Sequence, residues 1–118
     1  MSVKSESPIN REFLSNMCDD DVEFETELLE AFLEASPGVL EQMRAGVDSS
    51  DADVVRAAAH TLKGSSRAIG ANHVGEVCET LEIKAREADL DGTAELLEQV
   101  EARYGEVAAY IRANWATA

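Results

Sequence analysis

From Leu97 to Trp115 the apolar residues Leu97, Val100, Tyr104, Val107, Ile111 and Trp115 recur at three- and four-residue steps. On a strand they would scatter over both faces; on an α-helix they form one stripe, so the spacing commits the segment to helix. Such a stripe must be buried against others like it. Leu29, Phe32, Leu33, Leu40, Met43 and Val47 make a second one. Val55, Ala59, Leu62, Ser66 and Ile69 make a third, and Val74, Val77, Cys78, Leu81, Ala85 and Ala88 a fourth. No alternating strand pattern interrupts them. The predicted fold class is all-α: an antiparallel up-down four-helix bundle with a short additional N-terminal helix over one end.

The punctuation between the stripes sets the expected boundaries. Residues 1–7 are polar and read as a flexible N-terminus, leaving 8–116 for the bundle domain. Ser7 is predicted to cap the short first helix, with Pro8 in its first turn and an end near Met17. Asp19–Asp21 place carboxylates at the positive end of the second helix. Pro37 lies inside that helix and is expected to kink or split it, since it lacks a donor and crowds the preceding turn. Ser50, with Asp53 three residues on, is expected to open the third helix, and Gly70 to close it in the left-handed conformation. Asn72 is predicted to cap the fourth, and Ala88–Gly92 to turn into the last.

Charge narrows the function. The formal net charge of −14 over 118 residues opposes binding to nucleic acid or anionic membranes. No apolar run approaches the roughly 20 residues of a membrane span. The N-terminal segment lacks the apolar centre of a secretory signal. A cytoplasmic monomer is expected. Cys18 and Cys78 sit in apolar helical contexts and read as small buried hydrophobes. No phosphate-cradling glycine loop is present, so the chain is not expected to be a kinase by itself.

Within the third helix, residues three, four and seven apart share a face. From His60 that face takes in Arg56, Lys63, Gly64 and Arg67, opposite the apolar stripe. No acidic residue occurs from Val54 to Gly75, although the chain has 24. Either this cationic face meets an anionic partner, or it pairs with acidic residues of neighbouring helices; charge alone leaves both open. Gly64 sharpens the question, because a glycine inside a helix costs about 0.5–1 kcal/mol relative to alanine. On an outward face, a site for an external backbone is favoured over internal packing. An exposed neutral imidazole is a nucleophile near neutral pH. Attack on phosphorus would yield a phosphohistidine, with Lys63 neutralising the phosphoryl oxygens.

The stretch "AHTLKGSSRAIGA", Ala59–Ala71, resembles the signature of histidine-containing phosphotransfer (Hpt) domains of two-component phosphorelays. Ala59, His60, Leu62, Lys63, Gly64, Ser65, Ser66, Gly70 and Ala71 carry the likeness, and Cys78–Glu82 resembles the family's next helix. The resemblance implies that His60 takes a phosphoryl group from the phospho-aspartate of a receiver domain, or from a histidine kinase partner, and passes it to another receiver. It implies that Lys63 steadies the phosphoryl oxygens and that Gly64 leaves room for the receiver. Arg67, and with less support Arg56, would face the receiver's acidic groups. Partners would be response-regulator receivers and a hybrid sensor kinase. No cofactor of its own is expected; Mg2+ would arrive with the receiver. Apolar residues at the exposed ends of the second and third helices are expected to join the docking surface. Nε2, the outer imidazole nitrogen, is the expected phosphorylation point. Such a domain could be free-standing, a piece of a hybrid sensor kinase or the phosphorylated module of a chemotaxis-type kinase, and the start at Met1 slightly favours the first.

Three other readings compete. A metal site on His60, His73 and Cys78 lacks any compact ligand motif. A hydrolase with His60 as general base needs a cleft and an orienting group. A helical protein-interaction module without phosphotransfer would not need both Lys63 and Gly64.

Overall fold

The computed structural model describes residues 7–116. Of the expected flexible N-terminus, residues 1–6 lie outside the described residues. Five helices follow: α1 (Arg11–Met17), α2 (Val22–Asp48), α3 (Ala52–Ala68), α4 (Asn72–Arg86) and α5 (Thr93–Asn114). α2 packs on α3, α3 on α4, α4 on α5, and α5 closes back on α2. This is the predicted bundle, with α1 as the short additional helix. Among the described residues no helix is long and apolar enough to cross a membrane.

The stripes meet in one core. Val55, Ala59, Leu62, Ser66 and Ile69 are all buried, as are Val74, Cys78, Leu81, Ala85, Leu97, Val100, Val107, Ile111 and Trp115. Leu29, Phe32 and Met43 enter from α2, with Leu33, Leu40 and Val47 packed at the edge. Both cysteines are buried free thiols, and burial pushes Cys78 up to about 12. Ala88 departs from its predicted stripe: it lies beyond α4, exposed, at φ +57°.

Several boundaries differ from expectation for local reasons. Asn10, not Ser7, caps α1, its side chain accepting from the Phe13 amide at 3.0 Å. The Ser7 hydroxyl instead donates to the Ile9 carbonyl, and Ile9 is fully buried. Pro8 therefore belongs to the turn that brings Ile9 inward. Asp51, one residue beyond Ser50, caps α3 through the Val54 amide, because Ser50 is turned left-handed at φ +55°. Asn72 is the first residue of α4, with Ala71 at its cap position and no side-chain cap. α2 runs unbroken past Pro37. The helix is held in the core on both sides of the proline, by Leu29 and Phe32 before it and Met43 after it. In the turn before it the Ser36 hydroxyl donates to the Phe32 carbonyl at 2.7 Å.

Gly70 behaves as predicted, at φ +81° after the last turn of α3. It also accepts the chain of α1: the Asn10 amide donates to the Gly70 carbonyl at 2.9 Å. A β-carbon on Gly70 would lie 3.0 Å from the Asn10 carbonyl oxygen. The end of α3 that follows the histidine face is thus anchored twice, by its cap and by the entry to α1.

Candidate functional site

His60 stands midway along α3, where Val55, Ala59, Leu62 and Ser66 turn inward and leave it facing out. Its side chain is 65% exposed. Nδ1 lies 3.0 Å from Glu82 Oε2 on α4, and Nε2 has no partner among the described residues. Lys63 Nζ sits 2.7 Å from the other carboxylate oxygen, Oε1. Arg86 Nη2 donates to Oε2 at 3.1 Å. One carboxylate, itself only 5% exposed, collects three cationic or potentially cationic groups.

The electrostatics follow from that arrangement. Burial would push Glu82 up, but Lys63 and His60 outweigh it and hold the carboxyl below its ordinary value. An ionised carboxylate can only accept, so the proton on the imidazole belongs on Nδ1. Nε2 is left with its lone pair outward. The geometry is therefore that of an oriented nucleophile, with its inner nitrogen tethered and its outer nitrogen presented.

Beside it the surface is bare. A β-carbon on Gly64 would meet nothing within 4 Å. The glycine is therefore not required by packing inside the bundle. The rest of the cationic face is largely spoken for. Arg67 Nη2 binds Glu79 Oε1 at 2.6 Å and holds that carboxyl down. Its stem lies on Gly75, where a β-carbon would come within 2.9 Å of Arg67 Cγ. Arg56 is exposed and makes no ion pair among the described residues. Of the two readings of the charge pattern, pairing with acidic residues of a neighbouring helix holds for two of the three cations. Lys63 and Arg67 pair with the next helix, and Arg56 remains turned to solvent.

Glu82 and Arg86 are the site residues that sequence reasoning missed. The acid-free window from Val54 to Gly75 is a property of the chain, not of the neighbourhood. The signal lay in α4, where Gly75, Glu79, Glu82 and Arg86 fall at helical steps along one stripe that faces α3. His73, by contrast, lies in the first turn of α4, and Cys78 points into the core. Among the described residues no group of three or more His, Cys, Asp or Glu side chains is placed to hold a metal ion. The ends of α2 and α3 expose Val22, Phe24 and Val54.

With this geometry in place, comparison with known proteins defines the class. A family model described as Hpt domain matches residues 27–110, and the chain belongs to the Hpt domain family. Its structure is similar to that of histidine-containing phosphotransfer protein B (HptB) from Pseudomonas aeruginosa PAO1, with a TM-score of 0.85 and 27% identity. That match covers 92% of this chain and 94% of the other. A search of curated proteins returned no match. The 118 residues hold a phosphotransfer module and no kinase domain.

Proposed function

We propose that this protein is a cytoplasmic, monomeric phosphorelay carrier in which His60 is the phosphoacceptor. The observation that carries this reading is an exposed imidazole whose Nδ1 is tied to buried Glu82, with Nε2 outward beside the bare surface of Gly64. In the forward step the Nε2 lone pair attacks the phosphorus of a receiver's aspartyl phosphate. The Nε2–P bond forms as the P–O bond to the carboxyl breaks, and the receiver's carboxylate leaves. The imidazole ring gains positive charge in this step, and its Nδ1 proton stays in place, facing the Glu82 carboxylate. Stabilising charge where it develops is the main means of lowering such a barrier. Transfer onward reverses the bonds: the next receiver's carboxylate attacks phosphorus and neutral imidazole departs. A histidine kinase partner is an alternative donor.

Lys63 shares the Glu82 carboxylate with His60 and would turn its ammonium onto the phosphoryl oxygens carried by Nε2. Arg56, exposed on the same helix, would meet the acidic groups of a receiver, with Arg67, held by Glu79, at the edge of the same face. Gly64 admits the receiver's backbone. Mg2+ belongs to the receiver partner, whose carboxylates would hold it.

Receiver domains freshly loaded with labelled phosphate test this reading, with His60→Gln as the control. Acid-labile, base-stable label on the wild type and none on the folded variant is the expected result. No transfer from a broad panel of receivers would reduce the protein to a helical interaction module.

A further inference from the structure

Arg86 has no role in the reading above. It is the last residue of α4, and its guanidinium shares a single acceptor, Glu82 Oε2, with His60 Nδ1. Two groups on one oxygen are neighbours, so the guanidinium stands beside the imidazole. The two cations at this carboxylate differ in access. Lys63 is 21% exposed and rests on the inner contact to Oε1, whereas Arg86 is 59% exposed. Lys63 already neutralises the buried Glu82 carboxylate through its other oxygen, so a second ion pair there is weak reason for an arginine. One N–H serves Glu82; guanidinium has five, in a planar fork that fits phosphate oxygens.

Resting on the assignment of His60 as phosphoacceptor, we propose that Arg86 is a second phosphoryl-binding residue. It keeps one N–H on Glu82 and turns others onto the phosphoryl oxygens carried by Nε2. Glu82 then links both sides of the reaction, holding the ring through Nδ1 and the guanidinium through the same oxygen. Lys63 supplies a point charge from α3 and Arg86 a directional clamp from α4. The phosphoryl group would be flanked from two helices, with the side of Gly64 left for the receiver.

The test uses the full chain loaded with phosphoramidate, whose P–N bond breaks with loss of ammonia as the Nε2–P bond forms. Phosphorus NMR follows the phosphoryl group through its own titration, and His60→Gln identifies its resonance apart from any on His73. A guanidinium in contact favours the phosphoryl dianion. In Arg86→Ala the phosphoryl should therefore take up its proton at higher pH than in wild type, with Arg86→Lys between them. The equilibrium for transfer from a receiver onto His60 should fall about threefold to tenfold in Arg86→Ala. The downward shift due to Arg86 should persist in a Glu82→Ala background, where a purely structural role through Glu82 has been removed. A titration in Arg86→Ala that matches wild type, or an effect that vanishes with Glu82, overturns the proposal. If wild type itself never carries phosphorus on His60, the phosphoacceptor reading fails first and takes this one with it.

Discussion

A β-carbon on Gly64 has open space around it, and the residue lies within the regular turns of α3. Alanine therefore fits without strain and removes the entropic cost of glycine. Gly64→Ala should stabilise the fold by about 0.5–1 kcal/mol, read as a rise in the urea midpoint. Yet if a receiver docks over Gly64 as proposed, the same methyl group would occupy its path, so the rate of transfer to His60 should fall. A more stable variant with full transfer rates would show that the bare spot has nothing to do with docking. This opposition of signs separates function from packing at one atom. It also shows why this residue was legible in the sequence: glycine in mid-helix violates propensity, and the violation lies beside an exposed histidine. Glu82 violated nothing. A glutamate in a helix of an acidic chain is ordinary, and its partner is 22 residues away. Only the rotation of α4 against α3 turns it inward, and a single sequence does not state that rotation.

At the scale of elements, α3 and α4 are joined by an apolar seam and, outside it, a charged ladder. Lys63 and His60 meet Glu82, and Arg67 meets Glu79. The exposed Arg67–Glu79 pair adds little; the buried Glu82 matters more. Its carboxyl is held below the ordinary value, so between the two values the unfolded chain binds the proton and the folded one does not. The stabilisation is therefore full above the ordinary carboxylate range, about 4.3, and is lost as pH falls through the depressed value. Glu82→Gln should flatten this acid limb in urea titrations at successive pH. At neutral pH it should cost about 1–3 kcal/mol, since Lys63 loses a buried partner but retains access to water. An acid limb unchanged in the variant would assign the loss to other carboxylates. Helix existence, order and inner faces could be read from periodicity alone. Cap positions could not: Asn10, Asp51 and Ala71 displaced Ser7, Ser50 and Asn72 by one to three residues. Those choices depend on where the neighbouring chain runs, as the amide of Asn10 on the Gly70 carbonyl shows.

For the molecule as a whole, the end of the bundle away from the α2–α3 turn decides whether it unfolds as one body. The single tryptophan, Trp115, is buried there. Its Nε1 donates to Glu25 Oε1 on α2 at 3.1 Å, Arg11 of α1 lies 4.7 Å over its ring, and Tyr110 of α5 meets it edge-on. Three helices close through one indole, while the histidine face is built on the middle of α3 and on α4. Tryptophan fluorescence and far-UV circular dichroism should therefore trace the same urea transition in the wild type. Trp115→Phe keeps an aromatic ring but withdraws the donor from a buried carboxylate, at a cost of about 1.5–3 kcal/mol. Because no ion pair of the His60–Glu82 cluster runs through Trp115, transfer rates measured well below the transition should stay at the wild-type value. A tryptophan signal that moves ahead of helicity would mean that the capped end opens by itself. A loss of transfer in folded Trp115→Phe would mean that the end closed by α1 and the face that holds His60 are mechanically coupled.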